Sequence, residues 1–294
     1  MLTRSRALIF ATTALLIAAG IGCGTDGGGA TGSASSAAQG SGGASSQSSG
    51  SGGNGQGGDI FAGSGNFVGS GGAGMGGAGG DCTPDLVGVV RDFKAYTNGG
   101  HPDFEHFQGS GLKGIVETQL GDDLKPIYAP DGPTAHTTGK AEFDQWYHDV
   151  EGVNKSIPFT VKLTKDANGV ATFESGAFFP IDGQGWGNEG FDHNYGFTFE
   201  LHMTFKYNGG EIFAFSGDDD LWVFVNKRLA IDLGGLHPPQ SDTLDLDAKA
   251  AELGIEKGKE YQLDFFHAER HSTGSNFKIQ SSLTFTNCDP IIPK

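Results

Sequence analysis

Three consecutive carboxylates, Asp218, Asp219 and Asp220, stand between two apolar stretches. Adjacent carboxylates repel and raise one another's pKa unless a cation lies among them or water reaches all three. Their oxygens are hard donors, the kind Ca²⁺ gathers about six to eight at a time. The run therefore predicts a Ca²⁺ site with Asp218 and Asp219 as direct ligands. Asp220 is then either a third ligand or an ion-pair partner of Lys227 or Arg228. A solvated acidic turn holding no ion is the competing reading. Ser216-Gly217 breaks the chain just before the acids. Residues 221–225 (LWVFV) run continuously apolar, as a strand buried on both faces does. Asn226-Lys227-Arg228 then turns the chain so that residues 229–233 pair back.

Other residues offer ligand chemistry. Residues 183–194 (GQGWGNEGFDHN) form a glycine-rich loop carrying Trp186, Asn188 and Asp192. Glycine lets backbone carbonyls approach a ligand, and an exposed Trp stacks on a sugar face. The alternative is a loop packed on its own aromatics. His237, after Gly234-Gly235, either lines the same end as the acids or caps a turn. His267-Ala268-Glu269-Arg270-His271 misplaces the Glu of a zinc-protease string. On a strand its two His lie roughly 13 Å apart, too far to share an ion, so a buried Glu269–Arg270 hydrogen-bond network is the expectation. No nucleophile elbow, phosphate loop or triad spacing is present. Paired carboxylates for glycoside hydrolysis need a separation that sequence does not give.

The elements that position these residues are mostly strands. From Tyr195 the apolar set is Tyr195, Phe197, Phe199, Leu201, Met203, Phe205 and Tyr207, alternating with polar residues. That pattern predicts a long strand with one wet face. Residues 86–90, 157–163, 243–246 and 261–266 read as further strands, with Phe277, Ile279, Leu283 and Phe285 continuing the alternation. Helical patterning is confined to 141–150, with Phe143, Trp146, Tyr147 and Val150 on one face, and to 247–253. Many strands and few helices predict an all-β fold, an antiparallel β-sandwich with one or two short helices.

The ordered motifs VRDFKAY, HPDFEHF, FDQWYHDVEGVN, IPFTVKL, FFPIDGQGWGNEGFDHNYGFTFELH, FSGDDDLWVFVNKRLAIDLGGLH and LDFFHAERHSTGSNFKI span residues 86 to about 285. Together they resemble the fibro-slime domain of bacterial surface proteins. That family is similar to the protective-antigen-type (PA14) superfamily of jelly-roll-like sandwiches, whose members include calcium-dependent sugar-binding adhesins. The resemblance implies a Ca²⁺ held by two consecutive Asp joined by a cis peptide, a pair that falls on Asp218-Asp219. It also implies an Asn ligand from a second loop, for which Asn276 is the candidate.

The ends of the chain read as address and tether. Arg4 and Arg6 precede an apolar run over 7–19, a signal peptide occupying residues 1–22. Gly22-Cys23 resembles a bacterial lipobox and implies cleavage before Cys23 and lipidation of its thiol; plain secretion is the alternative. Two or more acyl chains would anchor the chain stably on a membrane. Residues 24–80 are rich in Gly and Ser and poor in large apolar groups, too little to offset ordering entropy. They read as a coil spanning on the order of 40 Å. The domain then covers 82–294. Cys82 and Cys288 bracket it, and an exported context permits a disulfide between them, which closing so long a loop would make worth about 5 kcal/mol; two free thiols are the alternative.

The formal net charge of -16 excludes a nucleic-acid partner, since phosphate binding needs a basic face. The expected function is a Ca²⁺-dependent binding module, not an enzyme, anchored on the cell envelope at the outer membrane or cell surface. Its expected partner is carbohydrate or an extracellular-matrix polymer. The alternatives are a structural component of slime or filaments, and a glycosidase.

Overall fold

The computed structural model describes residues 85–272 and 274–287. Cys23, Cys82 and Cys288, and with them the signal peptide, the lipid anchor, the tether and the disulfide, lie outside the described residues.

Twelve strands and two α-helices follow in the order β1 (Asp85–Phe93), α1 (Lys140–Phe143), β2 (Asn154–Lys162), β3 (Thr164–Lys165), β4 (Ala171–Ser175), β5 (Phe197–Lys206), β6 (Ile212–Gly217), β7 (Asp220–Val225), β8 (Arg228–Leu233), β9 (Gln240–Asp245), α2 (Leu246–Leu253), β10 (Glu260–Glu269), β11 (Phe277–Ser281) and β12 (Thr284–Asn287). All strand pairs are antiparallel. One sheet runs β2-β1-β5-β10-β7-β8, with β12 also on β5; the other runs β3-β4-β11-β6-β9. The two sheets form an antiparallel sandwich. Phe197, Phe199, Leu201, Met203 and Phe205 of β5 pack against Phe213, Phe215, Phe277 and Ile279 of the smaller sheet in the inter-sheet core.

A second apolar cluster covers the outer face of the larger sheet. Residues 94–153, between the paired strands β1 and β2, fold back over it. They bring Phe104, Ile115, Phe143, Trp146 and Tyr147 onto Trp222, Phe224 and Phe266. This explains the unbroken apolar run of β7: Leu221, Val223 and Val225 enter the inter-sheet core, while Trp222 and Phe224 enter the second cluster. It also corrects the reading of β5 as half wet. Thr198, Glu200 and His202 on its polar face are buried and hydrogen-bonded or ion-paired. Glu200 receives both oxygens' bonds from Lys125 Nζ at 2.8 and 2.7 Å, and His202 pairs with Asp264 at 2.7 Å. A buried charge needs such partners.

The helix expected over 141–150 is a single turn, Lys140–Phe143. Asn154 interrupts it: its side chain donates to the carbonyls of Gln145 and His148 and accepts from the amide of Val150. These bonds replace the helical ladder while still burying Phe143, Trp146 and Tyr147. Helix α2 matches its expected span within a residue, with Asp245 capping the Ala248 amide and Gly254 left-handed at its end. Asn226 and Lys227, with φ of 52° and 63°, make the two-residue hairpin between β7 and β8.

Candidate cation site at the sheet crossovers

Three connections pass from one sheet to the other at the same end of the sandwich. Asp218 and Asp219 join β6 to β7, residues 234–239 join β8 to β9, and residues 270–276 join β10 to β11. The strand registers place them together, since Gly217 lies opposite both Phe277 and Gln240, and Leu221 opposite both His267 and Leu233. The acidic run is thus the seam between sheets. Gly217 is needed there because any Cβ would collide with the Asn276 carbonyl.

The three acids have different fates. Asp218 accepts from the Asn276 amide at 2.5 Å and from Asn276 Nδ2 at 3.0 Å. Its carbonyl accepts from His267 Nε2 at 2.9 Å. Asp219 accepts from the Arg270 amide at 3.0 Å and, at 3.4 Å, from the His237 amide. The peptide bond between the two is cis. Asp220 is fully buried and takes Arg270 Nε on Oδ2 at 2.7 Å and the Gly235 amide on Oδ1 at 2.5 Å. Asp220 is therefore paired neither with Lys227 nor with Arg228, and its carboxylate is engaged away from the other two. Asp218 and Asp219 are left as the acids that line the cleft, and among the described residues their bonds come from neutral N–H groups.

Burial pushes the Asp219 carboxyl above the usual carboxylate range. The Arg270 guanidinium opposes this, and Asp220 and Asp218 add to it. Glu269 is buried too. Burial first, then the charges of Asp219 and Asp218, hold it well above its ordinary value. The expected Glu269–Arg270 network is not formed, because successive residues of an extended chain point to opposite faces. Arg270 instead reaches Asp220, the carbonyls of Asp103 at 3.0 Å and His136 at 2.9 Å, and the face of Trp146. Burial depresses His267 to about 4. It is neutral, with its proton on the nitrogen facing Asp218 and the other nitrogen bare.

Asp218, Asp219, Asn276 and His237 line one cleft of about 370 Å³. The His237 ring also shapes its own loop, facing the carbonyls of Pro238 at 2.9 Å and Leu233 at 3.1 Å. Hard oxygen donors suit Ca²⁺. Asn276 engages its NH₂ group on Asp218, leaving the amide oxygen as its donor atom. Among the described residues no three His, Cys, Asp or Glu side chains converge on one point. A cation here would rest on the two Asp and on neutral oxygens, and Asp220 is not among its ligands.

Trp186, Asn188 and Asp192 do not line this cleft. The Trp186 amide binds buried Asp92, and Lys94 Nζ at 4.2 Å and Lys155 Nζ at 3.7 Å stack on its ring. Asn188 bonds the Gly183 amide and the Asp192 carbonyl, and Asp192 accepts from the Tyr195 hydroxyl. Asn188 borders a hollow of about 10 Å³, no more than a water fills. Sequence reasoning missed Gln108 and His271 as cleft residues and Arg270 as the anchor of the site.

The PA14 domain family matches residues 181–293. Protein psiC of Dictyostelium discoideum is 37% identical over 204 residues, 63% of this chain and 39% of psiC. Protein psiD of the same organism is 37% identical over 212 residues, 67% of this chain and 40% of psiD. The chain thus spans about two fifths of these relatives. They are not bacterial fibro-slime lipoproteins, so it is the PA14 part of the resemblance that the comparisons support. Among solved structures, a PA14 sugar-binding domain from an RTX adhesin aligns with 69% of this chain and 99% of its own, at 10% identity and a TM-score of 0.31.

Proposed function

We propose that the sandwich is a Ca²⁺-dependent carbohydrate-binding module, a binder rather than an enzyme. One observation carries the reading. Asp218 and Asp219 are both nearly buried, meet only neutral N–H donors, and face a cleft of about 370 Å³. Two adjacent carboxylates that no cationic side chain hydrogen-bonds favour a divalent ion, whose charge removes their mutual repulsion. When bound, such an ion supplies a Lewis-acidic contact for ligand hydroxyls. The chain's own residues orient the two carboxylates through the Asn276, Arg270 and His237 amides.

Calorimetry on the full chain with Ca²⁺, followed by a glycan array with and without EDTA, tests this. Heat of Ca²⁺ binding together with EDTA-sensitive glycan binding is expected. Ca²⁺ binding that only raises the melting temperature would favour a structural role in matrix or filaments. Polysaccharide turnover would favour a glycosidase. No Ca²⁺ heat overturns the reading.

We further propose display on the cell envelope, motivated by the lipobox-like Gly22-Cys23: lipid on Cys23 and the Gly/Ser tether would hold the module off a membrane. Mass spectrometry of the N-terminal peptide from membranes should find Cys23 acylated; an unmodified Cys23 overturns the anchor.

A further inference from the structure

The cleft is built from two sources. Its floor comes from Asp218, Asp219 and Asn276. Gln108 and Gly109 also line the cleft; they belong to a strap, residues 105–112, that is part of the excursion over the larger sheet and lies outside the residues that the PA14 family matches. This strap is fixed at both ends. At the first, the Glu105 amide donates to the Arg270 carbonyl at 2.8 Å, and the Ser272 hydroxyl donates to Glu105 at 3.1 Å. At the second, the Gly111 amide donates to Leu236 O at 2.9 Å and the Leu112 amide to Gly234 O at 2.6 Å. Gly235, with φ of 79°, permits this approach, since a Cβ there would lie 2.6 Å from the Leu112 nitrogen.

Between these ends Gln108 is exposed and spans the cleft mouth. Its Nε2 lies 3.3 Å from His271 Nε2, a contact between segments far apart in the chain. Leu236 and exposed Pro238 and Pro239 line the same cleft. Two consecutive prolines offer no N–H, and their rings make a stiff apolar surface. The cleft therefore combines an amide and an imidazole, each able to donate to or accept from a hydroxyl, with apolar surface of the kind that the C–H face of a pyranose packs on.

We propose that Gln108 and His271 are the specificity-determining residues of the cleft: they hydrogen-bond ligand hydroxyls at its mouth and so select among saccharides. This rests on the carbohydrate-binding reading above. The cation site recognises that hydroxyls are present; the Gln108–His271 pair reads where they point. A site that bonds a hydroxyl rejects the analogue lacking it, because its own polar groups are then left unpaired.

The test uses the full chain, its Gln108→Ala and His271→Ala variants, and a panel of methyl glycosides of mannose, galactose, glucose and N-acetylglucosamine in saturating Ca²⁺. Ca²⁺-dependent melting is measured alongside. The expected result is a loss of about tenfold in affinity for the preferred glycoside in each variant, with a changed ranking of the panel and an unchanged Ca²⁺ shift in melting temperature. An unchanged ranking overturns the proposal, whether affinity is retained or falls equally for every sugar. Loss of the Ca²⁺ shift in both variants also overturns it, since the pair would then act through the cation site. If the wild-type chain takes Ca²⁺ but binds no glycoside, the carbohydrate reading fails and the proposal with it. If it takes no Ca²⁺, the cation reading fails first.

Discussion

The acidic seam at 218–220 and the glycine-rich loop at 183–194 are both dense in oxygen donors, yet they end differently. In the loop nearly every polar group is engaged internally. Asp182 takes the Asn194 amide and His193, Asp92 takes the Trp186 amide and Asn194, and Glu189 takes the Ala95 amide. Two lysine ammonium groups stack on Trp186. At the seam, two carboxylates are held in place by backbone amides and the Asn276 side chain and still line a cleft. What separates a ligand site from a structural knot is not the number of donors but how many remain unengaged once the chain is folded.

The largest expected effect is on the anchor of the seam. Arg270→Met leaves Asp220 buried without its cation, and breaking such a pair costs about 3–5 kcal/mol. Chemical denaturation should register this as a lower midpoint with an unchanged slope; a variant as stable as wild type would remove Arg270 from its anchoring role. Next, Asp218→Asn or Asp219→Asn should weaken Ca²⁺ on the order of 100-fold by calorimetry, since ligand charge sets affinity at hard-oxygen sites. In the absence of Ca²⁺ neither should unfold the sandwich, because Leu221, Val223 and Val225 keep their core contacts.

A third comparison uses pH. Burial raises Asp92 to about 6 against an ordinary 3.8, so the folded state holds this proton more tightly than the unfolded chain. The stability linked to the raised value is complete below pH 4 and is lost as pH rises to about 6. Wild type should therefore lose up to about 2–3 kcal/mol relative to Asp92→Asn between those limits and run parallel above them; parallel curves throughout would show that the loop does not depend on Asp92's charge state. The smallest effect is expected from Asn188→Ala, costing about 1 kcal/mol of stability, and from Asp192→Ala, both leaving Ca²⁺ affinity within error by calorimetry. A loss of Ca²⁺ binding in either would reunite the two regions that the structure separates.

The strands were readable because alternation is local. The set from Tyr195 to Tyr207 declares β5, and the unbroken run from Leu221 declares a strand with two dry faces. What covers the second dry face was not readable. Residues 94–153 carry little periodicity, so nothing local says that Phe104 and Trp146 meet Trp222, or that Glu200 faces Lys125 and not water. The single-turn α1 shows the same limit, because Asn154 ends it from eleven residues beyond Phe143. At the seam, the position of the acids was legible, but the division of labour among them was not. Asp220 finds Arg270 fifty residues away, and only the pairing of β7 with β10 brings them together.

The path of residues 94–153 has a further consequence. They leave from Phe93 and return at Asn154, which face each other across the β1–β2 ladder, so the two stems stand about 5 Å apart. A hairpin could close there with two residues. The excursion is in effect a cassette plugged into a fixed socket, and its outer loops, Gln108 among them, can be rewritten without rerouting any strand. Removal is another matter, because the socket is greasy: Trp222, Phe224 and Phe266 would lie bare. The scaffold thus compels every descendant to carry some cap while leaving the cap's rim open to variation.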